Sequence, residues 1–177
     1  MKSNLYWITG LSGAGKTTIG TLFYSYMQET NNNNIVYLDG DDLRQIFGDT
    51  QQYSPCERKS LALRYSRLCK MLTEQGIDVV IATISMFHEV REWNRENIEN
   101  YNEIYIKVPM KVLVARDQKK LYSLALKGEV KDVMGVDIEV EEPNDPEVII
   151  NNDGSNTPEE MTNELIEKLG LNRKLIS

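Results

Sequence analysis

The stretch Gly10-Leu11-Ser12-Gly13-Ala14-Gly15-Lys16-Thr17 decides the fold of this chain. It matches the pattern G-x-x-x-x-G-K-[ST] at every fixed position, and it stands between a short apolar run, Leu5–Thr9, and an amphipathic run, residues 16–29. Glycines let the backbone curl so that successive N–H groups face phosphate oxygens, and the N-terminus of the next helix adds partial positive charge. We therefore predict a strand, a phosphate-binding loop and a helix. Lys16 would reach the β- and γ-phosphates of a nucleotide, and Thr17 would ligate Mg²⁺.

Working outward from this loop, short apolar runs alternate with longer amphipathic ones along the chain. The apolar runs predict strands at residues 5–9, 35–38, 78–82, 103–108 and 147–150. The amphipathic runs predict helices at residues 16–29, 43–47, 55–75, 89–100, 110–116, 120–127 and 157–169. This alternation is typical of the α/β class, with about five parallel strands covered by helices on both faces.

A charged stretch with few apolar runs, residues 117–146, interrupts the alternation and predicts a lid-like insertion. Neither an internal repeat nor a second apolar core is visible in the sequence. The length of 177 residues falls within the usual size of one domain. We therefore expect residues 1–177 to form a single domain that contains the phosphate loop and carries this lid.

The composition is that of an acidic globular protein. Lys and Arg number 20 against 27 Asp and Glu, so the net charge is −7. Such a charge disfavours broad binding to nucleic acid or to anionic membranes, although it permits a local basic pocket for a phosphorylated small molecule. Cys56 and Cys69 fall about 20 Å apart in one predicted helix and cannot pair there. The apolar run Leu5–Thr9 is too short for a signal peptide or a membrane span, so we expect a cytoplasmic protein.

The acidic residues that follow the second predicted strand, Asp39 and Asp41, favour a kinase over other nucleotide-binding proteins. The Asn-Lys-x-Asp sequence with which switch GTPases read their base does not occur. The strand at residues 78–82 ends in Thr83-Ile84-Ser85, without the acid that follows it in large ATPases. Two carboxylates at the carboxyl edge of a parallel sheet can hold a Mg²⁺ shell and accept a proton from an attacking hydroxyl. The alternative interpretation of these acids is a solvated turn.

Several further motifs follow in the order typical of one family. They are Asp39-Gly40-Asp41-Asp42-Leu43-Arg44, Ile84-Ser85-x-Phe87, Arg116-Asp117-x-Lys119-x-Leu121-Tyr122, Ala125-x-x-Gly128-Glu129-Val130-Lys131, Gly135-Val136-Asp137 and Glu141-x-Pro143-x-x-Pro146-Glu147. Together with the phosphate loop, the chain resembles the adenylylsulfate kinases over about residues 4–150. The resemblance implies a P-loop kinase fold with a lid. It also implies transfer of the γ-phosphate of ATP, with Mg²⁺, to the ribose 3′-hydroxyl of adenosine 5′-phosphosulfate.

The resemblance also implies roles for individual residues. The catalytic set would be Lys16, Asp39, Asp41 and Ser85, the last at a position that can be phosphorylated in some family members. ATP would be bound by Gly10, Leu11, Ser12, Gly13, Ala14, Gly15, Lys16, Thr17, Thr18 and Arg116. The acceptor would be bound by Asp41, Arg44, Tyr53, Arg58, Ile84, Ser85, Lys119 and Leu121, and the metal by Thr17 and Asp39.

The chain departs from the family pattern at positions that bear on the acceptor. Leu61 replaces an Asn that contacts the substrate nucleotide, and Val133 replaces an aromatic residue that stacks on adenine. Asp42 stands where Asn is usual, and the sequence after the predicted lid, usually Ser/Asp-Pro-Tyr-Glu, reads Ile138-Glu139-Val140-Glu141. Loss of a stacking face removes about 1–3 kcal/mol of base binding.

These departures leave three functions open. The first is an adenylylsulfate kinase. The second is a related nucleotide 3′-kinase with another acceptor, such as cytidine diphosphoramidate in capsule biosynthesis. The third, from a different class, is a non-catalytic nucleotide-binding regulator. For either kinase we expect a small-molecule nucleotide as the partner, and a homodimer as the assembly to test because related kinases are often dimers.

Overall fold

The computed structural model describes residues 3–30, 34–47, 54–117 and 120–171, and it shows a five-stranded parallel sheet. The strands are β1 (Leu5–Thr9), β2 (Ile35–Asp39), β3 (Asp78–Ala82), β4 (Tyr101–Lys107) and β5 (Val148–Asn151), in the spatial order β2-β3-β1-β4-β5. All four neighbouring pairs are parallel, so the carboxyl ends of the strands share one edge. The predicted α/β fold is confirmed.

The helices lie between these strands. They are α1 (Lys16–Thr30), α2 (Gly40–Ile46), α3 (Pro55–Glu74), α4 (His88–Asn97), α5 (Met110–Arg116), α6 (Leu121–Leu126) and α7 (Pro158–Lys168). None of the helices in the described part of the chain is both long and apolar enough to cross a membrane.

Alternating strand residues divide the core between the two faces of the sheet. On β1, Leu5 and Trp7 pack in one cluster with residues of α3 and α4, such as Tyr65 and Val90. Tyr6 and Ile8 face the opposite cluster, which contains residues of α1 and α7. Both faces are therefore buried, which explains why the strands read as nearly continuous apolar runs.

Side-chain caps define where two of the longer helices begin. Ser54 accepts a hydrogen bond from the Glu57 amide while the Glu57 carboxylate accepts one from the Ser54 amide, and Thr157 and Glu160 form the same reciprocal pair before α7. These capping boxes satisfy amides that have no partner within the helix.

Two elements begin two or more residues earlier than the sequence predicted. Helix α2, expected at residues 43–47, begins at Gly40 because the Asp39 side chain accepts a hydrogen bond from the Asp41 amide and caps it directly after β2. Strand β4, expected at residues 103–108, begins at Tyr101, which pairs in register with Leu5 of β1. Asn102 beside it has a low propensity for strands, so the start of β4 is set by its pairing with β1 and not by local sequence.

A buried ionic cluster joins α4, β4 and the segment before β5. Arg91 and Glu103, whose side chains are 2% and 0% exposed, pair with 3.2 Å between Nε and Oε1, and Arg95 pairs with the other oxygen of Glu103. Arg91 also donates to the Glu141 carbonyl at 2.7 Å, and Arg95 donates to the Asp145 carbonyl at 3.0 Å. The cluster therefore fixes residues 141–145 against the sheet.

Candidate active site

The phosphate loop, residues 10–17, leaves β1 in a conformation that requires glycine. Gly10 has φ +151°, and a Cβ there would lie 2.6 Å from the Ile106 carbonyl oxygen of β4. Gly13 and Gly15 have φ +76° and +93°. Such backbone angles strain any residue with a side chain, so the glycines of the sequence motif are explained by this geometry.

Groups outside the loop hold three of its successive carbonyls. The Tyr122 hydroxyl donates to the Ser12 carbonyl at 2.8 Å, and the Arg116 guanidinium donates to the Gly13 carbonyl at 3.2 Å. The Asn152 amide donates to the Ala14 carbonyl at 2.9 Å and accepts from Arg116 at 2.8 Å. The loop is therefore held in place by groups of the protein itself.

Lys16 lies at the first position of α1, and its side chain curls back over the loop. Its Nζ donates to the Leu11 carbonyl at 2.9 Å. Burial of the ammonium group lowers the pKa of Lys16 to about 8, although the nearby carboxylates of Asp41 and Asp39 oppose this shift. An anion bound in the loop would add further stabilisation of the charged form.

Thr17 and Asp39 meet directly. The Thr17 hydroxyl donates to Asp39 Oδ2 at 2.9 Å, while Asp39 Oδ1 accepts from the Asp41 amide at 2.8 Å. The Tyr37 hydroxyl, 3.3 Å from Asp39 Oδ2, donates to the same carboxylate, and burial followed by the charge of Asp39 raises the pKa of Tyr37 to about 12. A tyrosine that stays protonated serves as a donor that orients Asp39.

These oxygen donors fit a magnesium ion. Mg²⁺ is usually held by one or two carboxylates together with substrate phosphates and water. Within the described residues, no group of three or more His, Cys, Asp or Glu side chains could hold a metal. Thr17 and Asp39 could hold Mg²⁺ together with the phosphates of a nucleotide.

The side chains of Asp41 and Arg44 lie on the exposed face of α2, beyond the end of β2. Their closest atoms, Asp41 Oδ1 and Arg44 Nη1, are 3.6 Å apart. The intervening Leu43 is buried in the core and anchors the helix. The two charged groups therefore lie on one face of a fixed helix.

Ser85 follows β3 and is buried with an unusual backbone angle, φ +28°. Its hydroxyl lies 2.7 Å from that of Thr83, and the Ile84 carbonyl between them accepts a hydrogen bond from Thr9 at 2.5 Å. The four non-glycine residues with positive φ in the described chain are Ser85, Asp117, Lys120 and Asp132. Ser85 lies in the loop after β3, and the other three lie in the segment predicted to form the lid. Backbone strain of this kind is common at functional sites.

Arg58 connects α3 to the segment predicted to form the lid. Its guanidinium donates to the Asp132 carbonyl at 2.8 Å. The Asp137 carboxylate accepts from the Asp132 and Val133 amides at 2.6 and 2.5 Å. Although desolvation acts in the opposite direction, these amides hold the pKa of Asp137 below its usual value. Arg58 is thus bound to a well-formed turn.

Of the remaining residues predicted to bind the acceptor, one lies in the described part of the chain and two lie outside it. Leu121 begins α6, whereas Tyr53 and Lys119 lie outside the described residues. The two positions that depart from the family pattern are both buried: Leu61 packs in the core cluster of α3 and α4, and Val133 packs with Leu113 and Tyr122.

Sequence reasoning missed Tyr37 and Asn152 and did not include Tyr122 in the site. Asn152 directly follows β5, so its place after an apolar strand was a usable signal, since the carboxyl ends of parallel strands meet at one edge. Tyr37 and Tyr122 offered no such signal, because tyrosines are common in strands and in helix cores.

A parallel sheet with a phosphate loop after β1 and acids after β2 defines a P-loop kinase. A model of the adenylylsulphate kinase family matches residues 2–151. The chain therefore belongs to the adenylylsulfate kinase family, and it is an ATP-dependent phosphotransferase that acts on a nucleotide.

Named relatives differ in their acceptors. A cytidine diphosphoramidate kinase of Campylobacter jejuni is 44% identical over 173 residues, which cover 97% of this chain and 100% of that protein. A probable adenylyl-sulfate kinase of Archaeoglobus fulgidus is 37% identical over 151 residues, covering 85% and 97%. One of Bacillus subtilis is 36% identical over 168 residues, covering 94% and 84%.

Solved structures agree with the fold. The APS kinase CysC of Mycobacterium tuberculosis, in complex with AMPPNP and APS, has a TM-score of 0.85 at 27% identity, covering 96% of this chain and 98% of that one. Shikimate kinase of Aquifex aeolicus has a TM-score of 0.59 at 16% identity, covering 94% and 96%, and shows the fold alone.

Proposed function

We propose that this kinase transfers the γ-phosphate of ATP to the ribose 3′-hydroxyl of a cytidine nucleotide, with cytidine diphosphoramidate as the first acceptor to test. The arrangement that carries the transfer is the Thr17–Asp39 hydrogen bond with Asp41 two residues beyond it. In this proposal Thr17 and Asp39 would hold the metal beside a second carboxylate, at the edge of the sheet where the phosphate loop begins.

In this mechanism Lys16 and the loop hold the transferring phosphoryl group, and Asp41 orients or deprotonates the acceptor hydroxyl. Thr17 and Asp39 would hold Mg²⁺, which neutralises phosphate charge when bound. Arg116 and the loop residues from Gly10 to Thr18 would bind ATP. Arg44 and Arg58 would hold the charged groups of the acceptor, and Ser85 and Ile84 would line the acceptor's side of the site.

Two observations favour cytidine diphosphoramidate over adenylylsulfate, the acceptor that the residues alone placed first. The chain is 44% identical to a kinase named for the cytidine compound, over the full length of that protein. At position 133 the side chain is also aliphatic and buried, so it offers no stacking face for adenine. Adenylylsulfate stays the second candidate because the family model and several relatives carry its name.

We also propose that the segment of residues 117–146 closes over the bound nucleotides as a lid of one kinase domain. Positive φ angles at Asp117 and Lys120, near the start of this segment, support a hinge there. Asp117 in addition accepts a hydrogen bond from the Ser123 amide at 3.0 Å, which shapes the start of α6.

The deciding experiment measures acceptor-dependent ADP formation from ATP·Mg²⁺, with the two candidate acceptors at equal concentration. Turnover on the cytidine compound alone supports the proposal. Turnover on adenylylsulfate alone replaces the acceptor and keeps the mechanism. Nucleotide binding without turnover on either acceptor would show that both acceptors are wrong and would leave the phosphate loop as a nucleotide site.

A further inference from the structure

The hydroxyl of Thr9 joins the end of β1 to residues 83–87, the β3 loop. Thr9 is the last residue of β1, directly before the phosphate loop, and it is fully buried. Pairing of β1 with β3 ends where the Thr83 amide donates to the Ile8 carbonyl at 3.0 Å. One residue further on, the Thr9 hydroxyl donates to the Ile84 carbonyl at 2.5 Å. A side chain thus continues the connection at the point where the pairing of the two strands stops.

The β3 loop is strained at Ser85, and the bond from Thr9 is one of the contacts that hold it there. The φ of +28° at Ser85 is an angle that a residue with a side chain keeps only where the surrounding structure imposes it. Hydrogen bonds are made on both sides of this residue. The Ile84 carbonyl before it is bound by Thr9, and its own carbonyl accepts from the Phe87 amide at 3.0 Å. The position of Ser85 therefore depends on the Thr9 hydroxyl.

The β3 loop also packs against the turn that carries the two acids of the site. A Cβ at Gly40, which lies between Asp39 and Asp41, would be 3.1 Å from the Ala82 carbonyl oxygen and 3.2 Å from Thr83 Oγ1. The loop thus contacts the acidic turn on one side and the end of β1, where the phosphate loop begins, on the other. A shift of the β3 loop would therefore change its distance from both of these groups.

Resting on the proposed function, in which Ile84 and Ser85 line the acceptor's side of the site, we propose that Thr9 is a positioning residue of the phosphoryl transfer. Through the Ile84 carbonyl it sets the place of the β3 loop relative to the phosphate loop, and hence the distance from the acceptor hydroxyl to the phosphoryl group. Because Thr9 is fully buried, it acts through this loop and not by touching a nucleotide. Such placement matters because a displacement of about 1 Å can slow a reaction about 100-fold.

The test replaces Thr9 by residues that keep its shape or its hydroxyl. Thr9→Val keeps the shape and removes the hydrogen bond, so kcat with the acceptor that the unaltered enzyme phosphorylates should fall about tenfold or more. The Kd of ATP should stay within about twofold, since other groups hold the phosphate loop. Thr9→Ser retains the hydroxyl and should recover most of the lost kcat. An unaltered kcat in Thr9→Val, or an equal loss in Thr9→Ser, would overturn the role of Thr9.

Thr162→Val is the matched control. Thr162 lies in α7, which carries none of the residues assigned to the site, and it is 5% exposed. Its hydroxyl donates to the Pro158 carbonyl at 2.7 Å, so the change removes a hydroxyl hydrogen bond of comparable burial. This variant should keep the kcat of the unaltered enzyme, and urea unfolding checks that both valine variants are folded under the assay conditions. An equal fall of kcat in the two variants would overturn the positioning role.

Hydrogen exchange tests the contact without any turnover. In Thr9→Val the amides of the β3 loop, such as that of Phe87, should exchange about fivefold or more faster than in the unaltered protein, and in Thr162→Val they should not. Unchanged exchange in Thr9→Val would overturn the statement that Thr9 holds the loop. Absence of turnover by the unaltered enzyme on both acceptors would instead overturn the proposed acceptors, and with them the role of Thr9 in that transfer, whereas the exchange rates would still decide whether Thr9 holds the loop.

Discussion

Lys16 shows how one residue of the loop couples nucleotide binding to protonation. Because its pKa is about 8, the Lys16 side chain is mostly the neutral amine at pH 9 when no phosphate is bound. Phosphates of ATP favour the charged form, so binding at pH 9 should take up close to one proton, and binding at pH 6 almost none. Calorimetric titrations in two buffers of different ionisation enthalpy measure this uptake. Lys16→Arg, always protonated, should show none at either pH. Buffer-independent heats for the unaltered protein at pH 9 would contradict the shift.

Asp41 is the residue on which the transfer step depends most. Asp41→Asn keeps the size of the side chain but removes its basic oxygen, so kcat should fall about 10²–10⁴-fold while the Kd of ATP changes little. Asp42→Asn is the matched control, because it makes the same change one residue away and restores the residue usual in the family. It should stay within about twofold of the unaltered kcat. Near-normal turnover by Asp41→Asn would remove Asp41 from the mechanism.

At the scale of elements, the buried ionic cluster makes the junction of α4 and β4 sensitive to a change of one charge. Glu103→Gln leaves Arg91, 2% exposed, without its carboxylate, and a buried charge without a partner costs about 3–5 kcal/mol. Urea denaturation should show this loss of the free energy of unfolding. Glu164→Gln in α7, which breaks an exposed pair with Lys168, should cost less than about 0.5 kcal/mol. Equal losses in the two variants would show that the cluster is not stabilised as described.

Local signals in the sequence were sufficient for most elements. The predicted bounds of Leu5–Thr9, Asp78–Ala82 and Met110–Arg116 are those of β1, β3 and α5. Each of these segments is an apolar or amphipathic run bounded by turn residues or proline, so its ends depend on neighbours in the chain. The capping box at Thr157 and Glu160 is likewise a local feature, because both of its residues lie at the start of α7.

Contacts between distant residues could not be predicted in this way. Asn152 reaches Ala14 across 138 positions, and Arg58 reaches Asp132 across 74. Nothing near either residue in the sequence specifies its partner, because the partner is set by strand order. The phosphate loop could be predicted because all the residues that define it lie within eight consecutive positions. The groups that hold the loop in place became visible only when the sheet was assembled.

At the scale of the whole molecule, the proposed single domain should unfold in one cooperative step. Trp7 is fully buried in the sheet and Trp93 is partly buried in α4, so tryptophan fluorescence and far-UV circular dichroism should give coincident transitions. ATP at about 100 times its Kd should raise the free energy of unfolding by about 2.7 kcal/mol, and Lys16→Ala should reduce this gain at the same concentration. Transitions that separate would show that a part of the chain, such as the segment 117–146, unfolds on its own.

The anchoring of residues 141–145 has an evolutionary consequence. Arg91 and Arg95 bind the carbonyls of Glu141 and Asp145, and every amino acid carries a carbonyl. Mutations in the neighbouring positions 138–140 therefore leave these attachments in place. Homologues are thus free to vary in this short stretch of chain with little penalty to folding, because the attachment beside it does not depend on which side chains are present.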